Sequence, residues 1–338
     1  MTAISLFASR SALADAPSAW EYYKSRFIQE DGRVIDFINN QISHSEGQGF
    51  SMYLALAFND EALFDKLWTW TRDNLMVDEA QGLAAWSWGR RPDGTWGVLD
   101  ANNASDGDIF LAWTLARASE RFGKGEYLAA ARRIAEALRQ KAVNDAGGAP
   151  VLLPGREGFV REGETVFNPS YFIFPAFYDL ARIDEPDFWR KLHASCKRLL
   201  EMSLGGPMGL PPDWAVISGG KIGPWGEKGA FFSYDAIRVP LYLSWELNRP
   251  SLAGYGKLFD AFRDNGALPA KIPATTGATP AGQAPAGFYA VLARAADTIG
   301  DGKMATALWE KADALIGAEK DDYYSHVLYL LASTRGLK

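Results

Sequence analysis

The sequence predicts an all-α fold of the (α/α)6 type, a toroid of six inner and six outer helices, with short β-hairpins in the loops that line its cleft. Three observations carry this expectation. Twelve helical segments can be marked along the 338 residues. Charge-rich and charge-poor segments alternate. Three long connections carry turn signals and tryptophans. Apolar residues make up 48% of the chain, enough for a large core.

The segments span 17–28, 46–58, 60–74, 105–123, 125–141, 169–182, 185–203, 233–247, 250–263, 284–299, 301–317 and 322–335. In 60–74, Leu63, Phe64, Leu67, Trp68 and Leu75 fall at helical spacing, with Asp65, Lys66, Arg72 and Asp73 opposite. In 125–141, Tyr127, Ala131, Ile134 and Leu138 form one stripe. The segments at 60–74, 125–141, 185–203 and 301–317 are charged, whereas 46–58, 105–118, 169–182, 233–245 and 284–296 are rich in Ala, Leu, Phe and Tyr. A helix apolar all round belongs inside, and one with a charged face outside. No strict sequence repeat accompanies this alternation, so the toroid rests on pattern alone.

The connections at 76–104, 143–168 and 204–232 are long for a compact domain, which points to function. The first holds Trp86, Trp88 and Trp96 around the turn Pro92-Asp93-Gly94; the second carries Gly, Pro and a hairpin signal; the third holds Trp214 and Trp225 around Gly219-Gly220. They read as walls of a cleft. No low-complexity linker intervenes, so residues 17–338 are expected to form a single catalytic domain. In residues 1–16, Ala12, Ala14 and Ala16 resemble a signal-peptidase site, although the preceding apolar run is short and lacks a basic region. This stretch is read as a signal-peptide remnant or a disordered N-terminus, and the protein as periplasmic or secreted. No stretch approaches the ~20 apolar residues of a membrane span.

Composition excludes several classes. A net charge of −6 provides no cationic sheath for nucleic acid. The lone Cys196 builds neither a disulfide framework nor a cysteine metal site. His44, His193 and His326 have no metal-ligand spacing, and nucleophile-elbow, P-loop and dinucleotide fingerprints are missing. No metal or organic cofactor is implied. The 12 Trp suit sugar binding, because indole faces pack on pyranose rings, although core packing also accounts for many of them.

Three acids share one position. Glu46 opens the second helix in Ser43-His-Ser-Glu-Gly-Gln-Gly49, Asp106 the fourth in Asn103-Ala-Ser-Asp-Gly-Asp108, and Asp235 the eighth in Ser233-Tyr-Asp-Ala-Ile-Arg238. Inner helices of a toroid run parallel, so these starts converge at one end. Taken singly, each acid is also a plain helix-start residue, favoured by the macrodipole by ~0.3–1 kcal/mol. Ser105 with Asp108 resembles a capping box, and Asp235 with Arg238 an i, i+3 pair. Against that, glycines beside Glu46 and Asp106 weaken a helix start and are read as room for a substrate. Glycosidic hydrolysis needs two carboxyl groups, one giving a proton to the leaving oxygen. A neighbouring Asp106 is expected to raise the pKa of Glu46, and Arg238 to keep Asp235 ionised.

At these residues the sequence resembles glycoside hydrolase family 8, and within it the endoglucanases of bacterial cellulose-synthesis systems. The likeness runs from about Trp20 to Leu330. It rests on Trp20-Glu-Tyr-Tyr-Lys24, Asp31-Gly-Arg-Val-Ile-Asp36, the acid-bearing blocks above, Asn168-Pro-Ser-Tyr-Phe172, and Ser233 to Pro240. The resemblance implies an (α/α)6 barrel that hydrolyses internal β-1,4-glucosidic bonds of cellulose with inversion. It makes Glu46 the proton donor, Asp235 the general base, and Asp106 the acid that grips the sugar next to the cut. Tyr171 would help hold the water, Tyr234 and Arg238 would orient base and substrate, and Trp88, then Trp86 and Trp96, would stack on sugar. Ser105 stands where the family is expected to have Thr. An inverting pair should lie ~6.5–9.5 Å apart. Chitosan, xylan or mixed-linkage glucan as substrate, and a non-catalytic glucan-binding partner of a synthase, are the alternatives. The expected partner is a β-1,4-glucan chain, with association to a cellulose synthase complex.

Overall fold

The computed structural model describes residues 10–78, 80, 82–246, 252–277 and 282–337. Through them run α1 (Arg10–Phe27), α2 (Ser45–Ala57), α3 (Glu61–Asn74), α4 (Ser105–Phe122), α5 (Gly125–Lys141), α6 (Phe174–Ile183), α7 (Pro186–Ser203), α8 (Arg238–Trp245), α9 (Gly256–Asn265), α10 (Ala286–Thr298), α11 (Gly302–Ile316) and α12 (Tyr323–Ser333). Side-chain caps start several of them: Asp60, Asp301 and Asp322 accept backbone N–H bonds from Leu63, Met304 and Ser325.

Each even-numbered helix packs on the next, from α2 to α4, α6, α8, α10 and α12, and α12 returns to α2. The inner ring is therefore closed. Helices α3, α5, α7, α11 and α1 lie outside α2, α4, α6, α10 and α12. The short 3-10 turn Leu252–Tyr255 packs on α8 and leads into α9. Burial follows the same division. Nearly all of α2, α4, α10 and α12 is buried, whereas α3 buries only Phe64, Leu67, Trp68, Trp70 and Thr71. The alternation of charge in the sequence is thus the alternation of inner and outer helices.

Aromatic side chains fill the ring. Phe50 meets Phe110 edge-on at 4.7 Å, Tyr53 stacks on Trp245 at 5.0 Å, and Trp113 and Tyr242 complete the cluster. Each such ring removes on the order of 150–250 Å² from water. The N-terminal ends of α2 and α4 meet even more closely. A Cβ on Gly107 would lie 2.4 Å from Ser45 Oγ and 2.8 Å from Glu46 N, and one on Gly49 would lie 2.7 Å from Phe110 Cβ. Gly107, one of the glycines expected to admit substrate, thus lets two helix starts touch backbone to backbone, whereas Gly47 faces Tyr323 and His44.

The three long connections form β-structure. In the first, β2 (Ser87–Arg90) and β3 (Trp96–Asp100) form the expected hairpin, and β1 (Ser43–His44) pairs with β2 in the register Ser43↔Trp88. In the second, β4 (Val143–Asp145) pairs with β5 (Pro150–Leu152). A four-stranded antiparallel sheet then joins the second and third connections. It comprises β6 (Val160–Arg161), β7 (Glu164–Phe167), β8 (Ala215–Ser218) and β9 (Lys221–Pro224), with β7 against β8. The β8–β9 turn needs Gly219 and Gly220, both at positive φ (55° and 75°). Finally, β10 (Phe231–Phe232) pairs with β11 (Ile272–Pro273).

Several boundaries differ from expectation. Helix α1 already runs from Arg10, so residues 10–16 are helical; residues 1–9 lie outside the described ones, as do the expected helix ends at 247 and 250. The segment expected from 169 begins as a 3-10 turn, Pro169–Tyr171, in which Asn168 Oδ1 accepts from Ser170 N, and becomes α-helical only at Phe174. The eighth helix starts at Arg238 rather than 233. The capping box does not form. Ser105 Oγ donates to Leu153 O at 2.7 Å, while Asp108 accepts from Ala84 N and Asn103 Nδ2. Tertiary partners take both side chains away from the helix end.

Candidate active site

At the N-terminal mouth of the inner ring, one buried guanidinium collects three carboxylates. Arg238, 3% exposed, hydrogen-bonds through Nη1 to Glu46 Oε2 and lies 3.4 Å from Asp106 Oδ2. Its Nη2 donates to Asp235 Oδ1 at 2.7 Å and to Ser170 Oγ at 2.8 Å. Glu46 and Asp106 arrive on the touching starts of α2 and α4. Asp235 sits in the turn before α8, and Ser170 in the 3-10 turn before α6. Glu46 and Asp235 take different nitrogens of the same guanidinium, so its width separates them.

Each carboxyl group has its own surroundings. The Asp106 side chain is 1% exposed; Oδ1 accepts from Gly107 N at 2.8 Å, and Oδ2 has only its ion pair with Arg238. Burial pushes this group up to about 7. Asp235 keeps 31% of its side-chain exposure at the cleft floor, and Trp214 Nε1–H donates to its Oδ2 at 2.9 Å. Loss of water in the cleft, and next the Asp213 carboxylate behind it, push Asp235 up to about 7; the Trp214 bond and Asn168 oppose this. Arg238 therefore does not hold the base in the ordinary carboxylate range, as expected from the i, i+3 spacing. Three carboxyl groups share one cation, and burial raises two of them, Asp106 and Asp235.

Hydroxyls surround the cluster. Burial keeps Tyr171 far above its usual range, hence neutral, with Asp106, Asp235 and the Arg238 guanidinium (5.7 Å from its ring) as neighbours. Tyr324 on α12, which sequence reasoning missed, is likewise raised by burial and donates to the Tyr234 carbonyl at 2.5 Å. Tyr242, buried beside Arg238, has a hydroxyl without a hydrogen-bond partner among the described residues. Tyr234 is expected, with Arg238, to orient base and substrate. Its ring lies at the rim, 45% exposed and edge-on to Phe288 at 5.1 Å, and burial, then Asp322 and Glu319, raise its hydroxyl.

Aromatics form two walls. On the acid side, β2 runs beside the start of α2, and Trp86 O accepts from Ser45 N. Trp86 and Trp96 are 36% and 46% exposed. Trp88 is more engaged: it stacks on Trp96 at 5.4 Å, meets Trp70 edge-on and, with Trp96, flanks the Arg33 guanidinium at 4.6 Å. On the base side, Trp214 packs on Phe159, Trp225 and Tyr171. A hollow of about 640 Å³ opens there between Trp214, Phe231, Asp235, Lys228 and Lys271. Another of about 580 Å³, lined by Leu56, Arg117, Arg121 and the 333–337 segment, lies at the opposite helix ends, away from the carboxylates.

Other chemistries find no donor set. Among the described residues, no group of three or more His, Cys, Asp or Glu is placed to hold a metal ion. Cys196 is buried with its thiol pushed up, and neighbouring His193 bonds Glu246.

Residues 1–336 of the 338 match the family described as glycosyl hydrolases family 8. The chain belongs to that family. It is 42% identical over 231 residues to an endoglucanase of Cellulomonas uda, covering 68% of this chain and 64% of that one. It is 40% identical to an endoglucanase of Xanthomonas axonopodis pv. citri, covering 66% and 58%. The chain thus spans less than two thirds of the length of these two relatives. The crystal structure of the family 8 endoglucanase Cel10 from Klebsiella pneumoniae superposes with a TM-score of 0.80 at 36% identity, over 93% of this chain and 97% of that one. In this family 8 fold, the (α/α)6 barrel brings Glu46, Asp106, Tyr171, Asp235 and Arg238 to one site. It places Trp86, Trp88 and Trp96 on one wall and Tyr234 at the rim. Sequence reasoning missed Trp214 as the partner of Asp235, although its Trp-bearing loop was singled out.

Proposed function

We propose that the protein is an inverting endo-β-1,4-glucanase, a cellulase, with Glu46 as general acid and Asp235 as general base. The observation that carries this is the Arg238 clamp, which holds Glu46 and Asp235 on separate nitrogens between two aromatic walls. Glu46 in its protonated form gives its proton to the glycosidic oxygen as the bond from that oxygen to C1 breaks. Asp235 takes a proton from water, whose oxygen bonds C1 from the opposite face. Asp106, beside the same guanidinium, grips the sugar next to the cut. The neutral Tyr171 hydroxyl offers the water a hydrogen bond. Indoles on both sides of the carboxylates suit the binding of a chain across the site.

The names of the relatives support β-1,4-glucan as substrate. Lys228 and Lys271 line the base-side hollow, each over an aromatic ring, and neither has a carboxylate partner among the described residues. Two ammonium groups there favour a neutral glucan over cationic chitosan. Xylan and mixed-linkage glucan are the remaining substrates to compare, and a non-catalytic glucan-binding role is the contrasting reading. The Ala12, Ala14 and Ala16 pattern supports a periplasmic or secreted enzyme, and the family subgroup supports association with a cellulose synthase complex. The deciding experiment is viscosity and reducing-end release on carboxymethylcellulose, with proton NMR of the anomer first formed. A rapid viscosity drop and α-product, both lost in Glu46→Gln and Asp235→Asn, are expected. β-Product would overturn inversion, and unchanged activity in either variant would overturn its role.

A further inference from the structure

The base is presented by an unusual turn. Residues 233–237 do not join α8, although Ile237 N reaches Ser233 O and Arg238 N reaches Asp235 O. What holds the turn is Asp213, in the segment just before β8. Its Oδ1 accepts from Ser233 N and from Ala236 N, both at 2.8 Å, and its Oδ2 accepts from Ser233 Oγ. Asp213 is 7% exposed and has no cation against it among the described ion pairs. The next residue, Trp214, supplies the N–H bond to Asp235 Oδ2. One dipeptide, Asp213-Trp214, therefore grips the base from both ends: the carboxyl group ties the backbone on either side of it, and the indole fixes its side chain.

Holding a turn does not require a charge. An Asn in place of Asp213 keeps an oxygen for the two backbone donors and offers an amide to Ser233 Oγ. A buried carboxylate without a cation is costly. Its distinguishing effect is on a neighbour. We propose that Asp213 is a positioning residue for the general base, which both orients the Ser233–Ala236 turn and places a second carboxyl group behind Asp235.

The charge has a catalytic consequence. A general base works best with a pKa near the operating pH, where it is both ionised and basic enough to take a proton from water. The groups facing Asp235 pull in opposite directions. Arg238 from α8 favours ionisation. Asp213 and Asp106 oppose it. Tyr171, Tyr242 and Tyr324 face it as neutral hydroxyls from the turn before α6, from α8 and from α12. After desolvation, Asp213 is the largest influence raising Asp235, ahead of Asp106. It adds to the loss of water around Asp235 and acts against the pull of the neighbouring guanidinium.

This inference rests on Asp235 being the base, so the test includes that residue. The pH dependence of kcat/KM is measured on a neutral cello-oligosaccharide for the wild type, Asp213→Asn, Asp213→Ala and Asp235→Asn, with near-UV circular dichroism to confirm folding. In Asp213→Asn the acidic limb is expected to move down by about one pH unit, the order of effect of removing a like charge, while KM changes little. In Asp213→Ala the turn is also released, and kcat is expected to fall at least about tenfold further, the scale of a displaced catalytic group. A folded Asp213→Asn enzyme with an unmoved acidic limb overturns the proposal, whatever its kcat. Retained activity in Asp235→Asn instead overturns the assignment of the base.

Discussion

At the scale of the residue, the site is a problem of charge. Three carboxyl groups meet one guanidinium, and the groups at 106 and 235 are both raised to about 7. The acidic limb of kcat/KM should therefore lie near pH 7, well above that of a solvated aspartate, with activity falling as pH drops and Asp235 takes up its proton. A limb near pH 4 would contradict this environment. Trp214→Phe should shift the limb up rather than down, because its N–H bond stabilises the ionised base; the same pH profile reads this. Arg238→Lys keeps a cation but supplies no planar fork for separate nitrogens to hold Glu46 and Asp235. It should lower kcat by about a hundredfold or more, comparable to losing a positioned charge-stabilising donor, with the far-UV spectrum unchanged.

At the scale of the element, the acids converge because helix starts are allowed to touch. Gly107 lies where a Cβ would meet Ser45 Oγ and the Glu46 backbone. Gly107→Ala should push α2 from α4, destabilise the fold by about 1–3 kcal/mol as overpacking does, and separate Glu46 from Asp106. Denaturant melts and kcat measured together should both fall; a stable, fully active variant would show that the contact yields freely. The helix periodicities at 60–74 and 125–141 were legible because outer helices divide cleanly into apolar and charged faces. The start of α8 was not. Ser233 and Asp235 look like helix-start residues, and nothing local reveals that Asp213 holds the strand-side turn twenty residues upstream.

At the scale of the whole molecule, the buried acids should govern the dependence of stability on pH. Asp106, Asp108 and Asp235 are each pushed up to about 7. In the unfolded chain such groups lose their protons near pH ~3.9. Between these values the native state holds more protons than the unfolded one, so folding stability should decline as pH rises from about 4 toward 7 on their account. Asp106→Asn should flatten part of that decline, measured as the change in Tm between pH 5 and pH 8. An equal decline in the variant would show that Asp106 does not contribute.

The amino-acid order alone determined the twelve helices, their inner and outer alternation, the loops that fold into hairpins, and that Glu46, Asp106 and Asp235 would meet at one end of the ring. These follow from local spacing, from which face of a helix can be wetted, and from motifs contiguous in the chain. Tertiary structure alone decided how the acids are used. It set Arg238 among all three and seated Asp235 in a turn tied by Asp213. It turned Trp88 against Trp96 and Arg33, and set Gly107 where the starts of α2 and α4 touch. The physical reason is common to these cases: desolvation, charge pairing and close packing act between groups far apart in sequence, and their strength exists only once the ring has closed.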